Sequence, residues 1–277
     1  MIPVDFSYWR PDTAEEAVAT YQQLADGGQH PVYYAGGTEI VTRSRLGQLS
    51  CGAVIDVKAI GEARCLGRDG GRWHVGAALS LAELIHDGSW PLLARVAERI
   101  ADHTTRSHIT LGGNLAGTIA YREAALPFWL ADADVTTVGR GGRRTARFAD
   151  RFDGALALEP GELLLALSVP EGVLQQPSYA QKATRLDYVD YPLVTLAALH
   201  GAEGRLSVAW SGLKPAPTRS AELDAALMGP GSAADRARRA ARHLPPTLAQ
   251  DLHGTADYRR FVATNMLADA LSALEAR

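Results

Sequence analysis

Two Gly-Gly steps, each set just before a helical start and flanked by hydroxyl or amide side chains, constrain this chain more than any other feature. In Tyr33-Tyr34-Ala35-Gly36-Gly37-Thr38-Glu39-Ile40 a β-rich stretch breaks at the glycines and continues as the first turn of a helix. Thr110-Leu111-Gly112-Gly113-Asn114 repeats the chemistry about 75 positions later. Side-chain-free glycines let backbone approach the oxygens of an anion, and the unpaired N–H groups of a helix start point at them. Such turns also arise for steric reasons alone. Two of them, a subdomain apart, suit the two ends of a dinucleotide. Neither contains the G-x-G-x-x-G of a Rossmann turn. The Gly112 to Gly117 spacing is not a P-loop, because Thr118-Ile119 stand where Lys-Ser/Thr must be.

Other chemistries are excluded by count. The chain has 277 residues, a net charge of −3 and no long basic run, which argues against a phosphate-backbone footprint and so against nucleic acid as a partner. Cys51 and Cys65 are the two cysteines, too few for a disulfide framework, a four-cysteine zinc site or a protein-held iron–sulfur cluster. His103 and His108 are five apart, no H-E-x-x-H occurs and no G-x-S-x-G elbow is present, so no metal or serine-nucleophile site is expected. Met1 to Arg10 lacks an apolar core of signal-peptide length, and no run approaches the roughly 18 apolar residues of a membrane span. The expectation is a soluble, cytoplasmic chain.

Periodicity and turn residues predict an alternating α/β order. Residues 3–9 read as a strand and Pro11-Asp12-Thr13, followed by Glu15 and Glu16, as a helix start for Ala14 to Leu24. Strands follow at His30 to Tyr34, Ala53 to Val57 and Arg72 to Ala77, with helices at Thr38 to Leu46, Leu81 to His86 and Pro91 to Ile100. Thr104 to Gly117 is too long and irregular for a connector, which marks it as functional. Ala133 to Val138, Arg143 to Ala149 and Leu163 to Val169 read as strands, and Pro170 to Pro177 as a linker at a domain boundary. Beyond it, Ser178 to Thr184, Leu193 to His200 and Arg205 to Ser211 predict an antiparallel meander with Gly201 to Gly204 as a hairpin turn. Helices are predicted over Ser220 to Met228, Ala233 to His243 and Thr255 to Ala276.

Of the 28 basic residues only Lys58, Lys182 and Lys214 are lysines. Lys182 lies in a predicted strand, where a cation can stabilise a developing anion on a ring; the ordinary alternative is an outward-facing strand lysine. Arg236, Arg238, Arg239 and Arg242 make one helix basic, as a solvated face would be.

Taken together, Ala35 to Glu39, Thr110 to Asn114, Glu162-Leu163-Leu164 before Val169-Pro170, and Lys182 with Arg185 and Asp190 occur in the order and spacing of one family. The sequence resembles, over essentially its whole length and including Asp251 to Arg260, the FAD-binding medium subunit of the molybdenum hydroxylases, the xanthine dehydrogenase and carbon monoxide dehydrogenase family. The resemblance implies an α+β (mixed α/β) chain. A two-subdomain FAD-binding domain of the PCMH type would span residues 1–172, split near residue 60, and be followed over 173–277 by a C-terminal domain with a small antiparallel sheet and helices. It implies that Tyr33, Tyr34, Ala35, Gly36, Gly37, Thr38, Glu39 and Ile40, with Thr110, Leu111, Gly112, Gly113 and Asn114, wrap the FAD pyrophosphate. Leu164 would contact the ring system and Lys182 would sit near its pyrimidine edge. Glu123 stands where the family usually has an Asp near the ribityl or ribose hydroxyls, and is one methylene longer. No residue is implied as a catalytic acid or base.

The implied role is electron transfer from two-iron two-sulfur clusters on a small subunit, fed by a molybdopterin-bearing large subunit, to NAD or another acceptor. A self-contained FAD-dependent oxidoreductase would need its own acid or base near the ring. A non-catalytic nucleotide-binding assembly protein would explain the glycine turns but not Lys182 with Leu164.

Overall fold

The computed structural model describes residues 2–186, 189–201 and 204–276. Three sheets organise them. The first is parallel, in the order β1-β3-β2, from β1 (Ser7–Trp9), β2 (Pro31–Tyr34) and β3 (Ala53–Asp56). Its middle strand is buried along its whole length, as an apolar run in a parallel sheet should be. Helix Ala14–Asp26 begins where the sequence predicts, with the Thr13 hydroxyl accepting from the Glu16 amide, and buries Ala14, Ala17, Val18 and Leu24 in the same core as Ala53 and Ile55.

The second sheet is antiparallel, in the order β4-β5-β8-β6-β7, from β4 (Leu66–Asp69), β5 (Arg72–Gly76), β6 (Asp134–Gly139), β7 (Gly142–Arg147) and β8 (Leu163–Pro170). Trp73, Trp90, Phe128 and Phe148 pack into its core, with Trp90 edge-on to Phe128 at 5.2 Å between ring centroids. The third sheet carries the predicted meander: β9 (Ser178–Thr184), β10 (Pro192–His200) and β11 (Leu206–Ser211), extended by β12 (Thr218–Arg219) in the order β12-β11-β10-β9. Within the predicted Gly201 to Gly204 turn, Ala202 and Glu203 lie outside the described residues. Helix Ala256–Glu275 packs Ala263, Met266, Leu267 and Leu271 into the core shared with β10 and β11.

Several predictions change: the strand expected over residues 3–9 is confined to Ser7–Trp9, and the one expected over Arg143 to Ala149 ends at Arg147, where Phe148–Arg151 turns helical. Pro170 to Pro177 is not an open linker: Glu171–Gln175 forms a 3-10 turn, and Leu174 is buried in one core with Trp73, Ala197 and Leu199. The flanking prolines end secondary structure there, while the apolar Val173-Leu174 pair between them anchors the turn. Thr104 to Gly117 is not an irregular loop throughout: it carries two short helices, His103–Arg106 and Leu111–Ala116, capped by Asp102 and Thr110. Among the described residues no helix is long and apolar enough to cross a membrane.

Candidate functional site

The first glycine turn is held from three sides. Lys58 donates from Nζ to the Ala35 carbonyl (3.1 Å) and to Asp56 Oδ2 (2.7 Å), and lies 4.7 Å from the centre of the Tyr34 ring. The Tyr33 hydroxyl donates to the Gly161 carbonyl at 2.8 Å. A Cβ on Gly36 would sit 1.6 Å from the His108 carbonyl oxygen, so this turn presses directly against the segment that leads into the second one. Gly37, at φ 71°, is the N-cap of helix Thr38–Arg45, and no side chain caps that helix. Its leading N–H groups keep their donor capacity in the wall of a cavity.

The second turn is built differently. The Thr110 hydroxyl accepts from the Gly113 amide at 3.1 Å, and the Gly112 amide donates to the Ala77 carbonyl at 2.7 Å. Asn114 Oδ1 accepts from the Ala124 amide at 3.1 Å, which ties this turn to Glu123. Arg122, in the left-handed region at φ 38°, donates to the carbonyls of Gly117 (2.7 Å) and Gly154 (3.1 Å). The buried Arg106 holds the carbonyls of Ile100 (3.2 Å) and Ala101 (2.6 Å), and Ala101 is itself left-handed at φ 52°.

Lys182 is not an outward-facing strand lysine. Its side chain is 2% exposed and pairs with the 5% exposed Glu123 at 3.0 Å. Its Nζ also donates to the Arg99 carbonyl at 2.8 Å, and the Thr195 hydroxyl donates to the other Glu123 oxygen at 2.6 Å. Burial pushes the Glu123 carboxyl above the ordinary glutamate value; the Lys182 ammonium and the Thr195 hydroxyl oppose that rise.

These pieces face one cavity of about 1040 Å³. Every residue to which the resemblance assigns a cofactor contact lines it except Tyr34 and Leu111. The Tyr34 ring faces an adjoining cleft of about 180 Å³, and the Leu111 side chain is fully buried in the core of the second sheet. At the rim, Tyr121 and Tyr191 stack at 5.0 Å, with His253 edge-on to Tyr191. Sequence reasoning missed Arg122, Tyr191 and the Thr195 support of Glu123. One signal was available for Thr195, a lone hydroxyl inside the apolar run of β10.

Residues 4–172 match the family described as FAD binding domain in molybdopterin dehydrogenase, and residues 179–274 match CO dehydrogenase flavoprotein C-terminal domain. The carbon monoxide dehydrogenase medium chain of Hydrogenophaga pseudoflava is 28% identical over 290 residues, covering 100% of this chain and 99% of the relative. The nicotinate dehydrogenase FAD-subunit of Eubacterium barkeri is 26% identical over 154 residues, covering 54% of this chain and 51% of the relative. In solved structures, the carbon monoxide dehydrogenase of Hydrogenophaga pseudoflava superposes with a TM-score of 0.87 at 28% identity, over 100% of this chain and 99% of that one. Quinoline 2-oxidoreductase from Pseudomonas putida 86 shares the fold, with a TM-score of 0.85 at 24% identity over 99% of this chain and 98% of that one.

Proposed function

Because this chain belongs to the family of FAD-binding medium subunits of the molybdenum hydroxylases, and is therefore an oxidoreductase subunit, we propose that it holds FAD in the cavity between its two glycine turns. Its task is to carry electrons from iron–sulfur clusters on a small partner subunit to a terminal acceptor such as NAD. The molybdopterin belongs to a large partner subunit, where the substrate is oxidised. The FAD-binding unit spans residues 1–172, split near residue 60, and the C-terminal unit spans 173–277.

One observation carries this reading: a single cavity of about 1040 Å³ gathers both glycine turns with Leu164 and Lys182. The residues fit a dinucleotide. The uncapped start of helix Thr38–Arg45 offers N–H donors to a pyrophosphate, and Gly36, Gly37 and Gly112, whose missing side chains would strike His108, Tyr34 and Ala77, let the two turns pack close enough to share one cavity wall. Thr38 and Thr110 add hydroxyls to the same wall, and Leu164 supplies an apolar surface for a ring. When bound, FAD supplies a carrier that takes up electrons singly or in pairs. The chain's own contribution is to bind it, orient it and set the charge around it.

Titrating the purified chain with FAD and with FMN tests the binding step. FAD should bind one per chain, noncovalently, and more tightly than FMN; preference for FMN would remove the pyrophosphate argument. The transfer step is tested anaerobically, by mixing substrate with this chain alone and with the chain coexpressed beside a molybdenum subunit and a cluster-bearing subunit. Flavin bleaching is expected in the assembly alone. Bleaching of the isolated chain by an organic substrate would make it a self-contained oxidoreductase.

A further inference from the structure

We propose that Glu123 is the fixed counter-ion of Lys182, and that this buried pair, rather than a free ammonium, sets the charge the cavity presents to a redox ring. The proposal rests on the reading of this cavity as an FAD site and deepens it: Glu123 becomes a positioning residue that acts through Lys182.

The geometry is unusually complete for an ion pair. Lys182 on β9 and Thr195 on β10 are direct cross-strand partners, so their side chains rise on one face, and both end on the Glu123 carboxylate. Each Glu123 oxygen is thereby taken, one by Nζ and one by the Thr195 hydroxyl. Among the described residues, one of the three donors of the ammonium goes to Glu123 and one to the Arg99 carbonyl, which leaves one for the cavity that Lys182 lines. Glu123, which the resemblance places near ribityl or ribose hydroxyls, lines the same cavity with one protein donor already on each oxygen.

The charge follows from this. A buried ammonium beside a ring would favour the ring's anionic, reduced form; a carboxylate 3.0 Å from that ammonium, lining the same cavity, cancels most of the effect. Neutralising Glu123 should therefore raise the flavin potential. Removing Lys182 alone should do less than its charge suggests, because the pairing that opposes the burial-driven rise of the Glu123 pKa is lost and the carboxyl takes up a proton. Among the described residues, the charged groups that act on the pair include Arg99, whose charge favours the ionised form of Glu123, and Asp190, whose carboxylate feels the Lys182 charge.

The test is potentiometric titration of the FAD-loaded full chain between pH 6 and 9, for wild type, Glu123→Gln, Lys182→Met and the double variant. Glu123→Gln should raise the potential by at least the about 30 mV that corresponds to a tenfold change for a two-electron couple. The double variant, with both charges gone, should return to near the wild-type value. Lys182→Met should match the double variant at the acid end, where Glu123 is protonated, and fall below it at the alkaline end. A Glu123→Gln potential equal to wild type overturns the proposal, as does a double variant that tracks Glu123→Gln. Should Glu123→Gln fail to fold, the comparison of Lys182→Met with the double variant decides alone, because coincident pH curves overturn the proposal. Failure of the wild-type chain to take up FAD would instead overturn the cofactor reading on which it rests.

Discussion

Both carboxylate oxygens of Glu39 are taken by Thr118, across 79 positions of chain: the Thr118 amide donates at 2.9 and 3.0 Å and its hydroxyl at 2.6 Å. Glu39 lies in the first turn of the helix that follows Gly37, and Thr118 follows the helix that begins at Leu111. The contact locks together the two glycine turns that form the cavity wall. Glu39→Ala should therefore cost about 1.5–3 kcal/mol, the range for hydrogen bonds to a charged group, and weaken FAD binding several-fold. Urea unfolding and FAD titration check the two effects separately; wild-type values for both would reduce the contact to a surface detail.

The glycines are not equivalent. A methyl on Gly36 would meet the His108 carbonyl oxygen at 1.6 Å, a backbone atom that cannot step aside, whereas one on Gly113 would meet only the Thr110 hydroxyl at 3.0 Å. Gly36→Ala should destabilise the chain by several kcal/mol, above the about 1–3 kcal/mol typical of overpacking, and abolish FAD binding. Gly113→Ala should fold with a small loss. Thermal melts of the two variants, with and without FAD, rank them, and the reverse order would refute the contact.

Stability should fall in acid through two carboxylates. Burial pushes Glu39 up, but the Thr118 hydroxyl, the Thr118 and Ile119 amides and the Arg43 charge outweigh it; for Glu162 the Thr137 hydroxyl, the Glu159 amide and Arg151 do the same. Both groups therefore titrate below their ordinary value of 4.5. A depressed folded value means stability that is fully present above the unfolded value and is lost as pH drops through the folded one. The Glu39→Gln/Glu162→Gln variant should be less stable than wild type at pH 7 yet lose less between about pH 5 and pH 3. Parallel urea-midpoint curves would count against the assignment.

Arg259 is 1% exposed and joins three elements, donating to the carbonyls of Leu193 and Gly212 and, at 2.5 Å, to Asp251 Oδ1. Arg259→Met keeps much of the volume but strands two buried carbonyls, which should cost about 2–4 kcal/mol. Because Asp251 also holds the amide of His253, which packs against Tyr191 at the cavity rim, FAD affinity should drop as well. Calorimetry and FAD titration of the variant measure both, and an unchanged melting temperature would contradict the pinning role.

Elements whose signals are local were legible before any coordinates. The Thr13 cap, the strand over Ser178–Thr184 and the break at Gly36-Gly37 depend on residues a few positions apart, whose chemistry is written consecutively. The glycine turns and Lys182 were singled out on the same basis, and the family pattern raised their weight. Helix Ala125–Leu130 escaped because it has no side-chain cap and carries Pro127, the residue that ordinarily argues against a helix.

By itself the sequence determined the longer strands and helices, the family and the candidate residues, because caps, turns and periodicity are set by near neighbours in the chain. Only the tertiary structure decided that Tyr34 and Leu111 leave the large cavity, that Gly36 abuts the His108 carbonyl, and that Lys182 spends its charge on Glu123. Those outcomes join residues 59 or 72 positions apart, or turn on which face of an element meets the cavity. The strength of a charged contact depends on distance and burial, and neither exists until the sheets have packed.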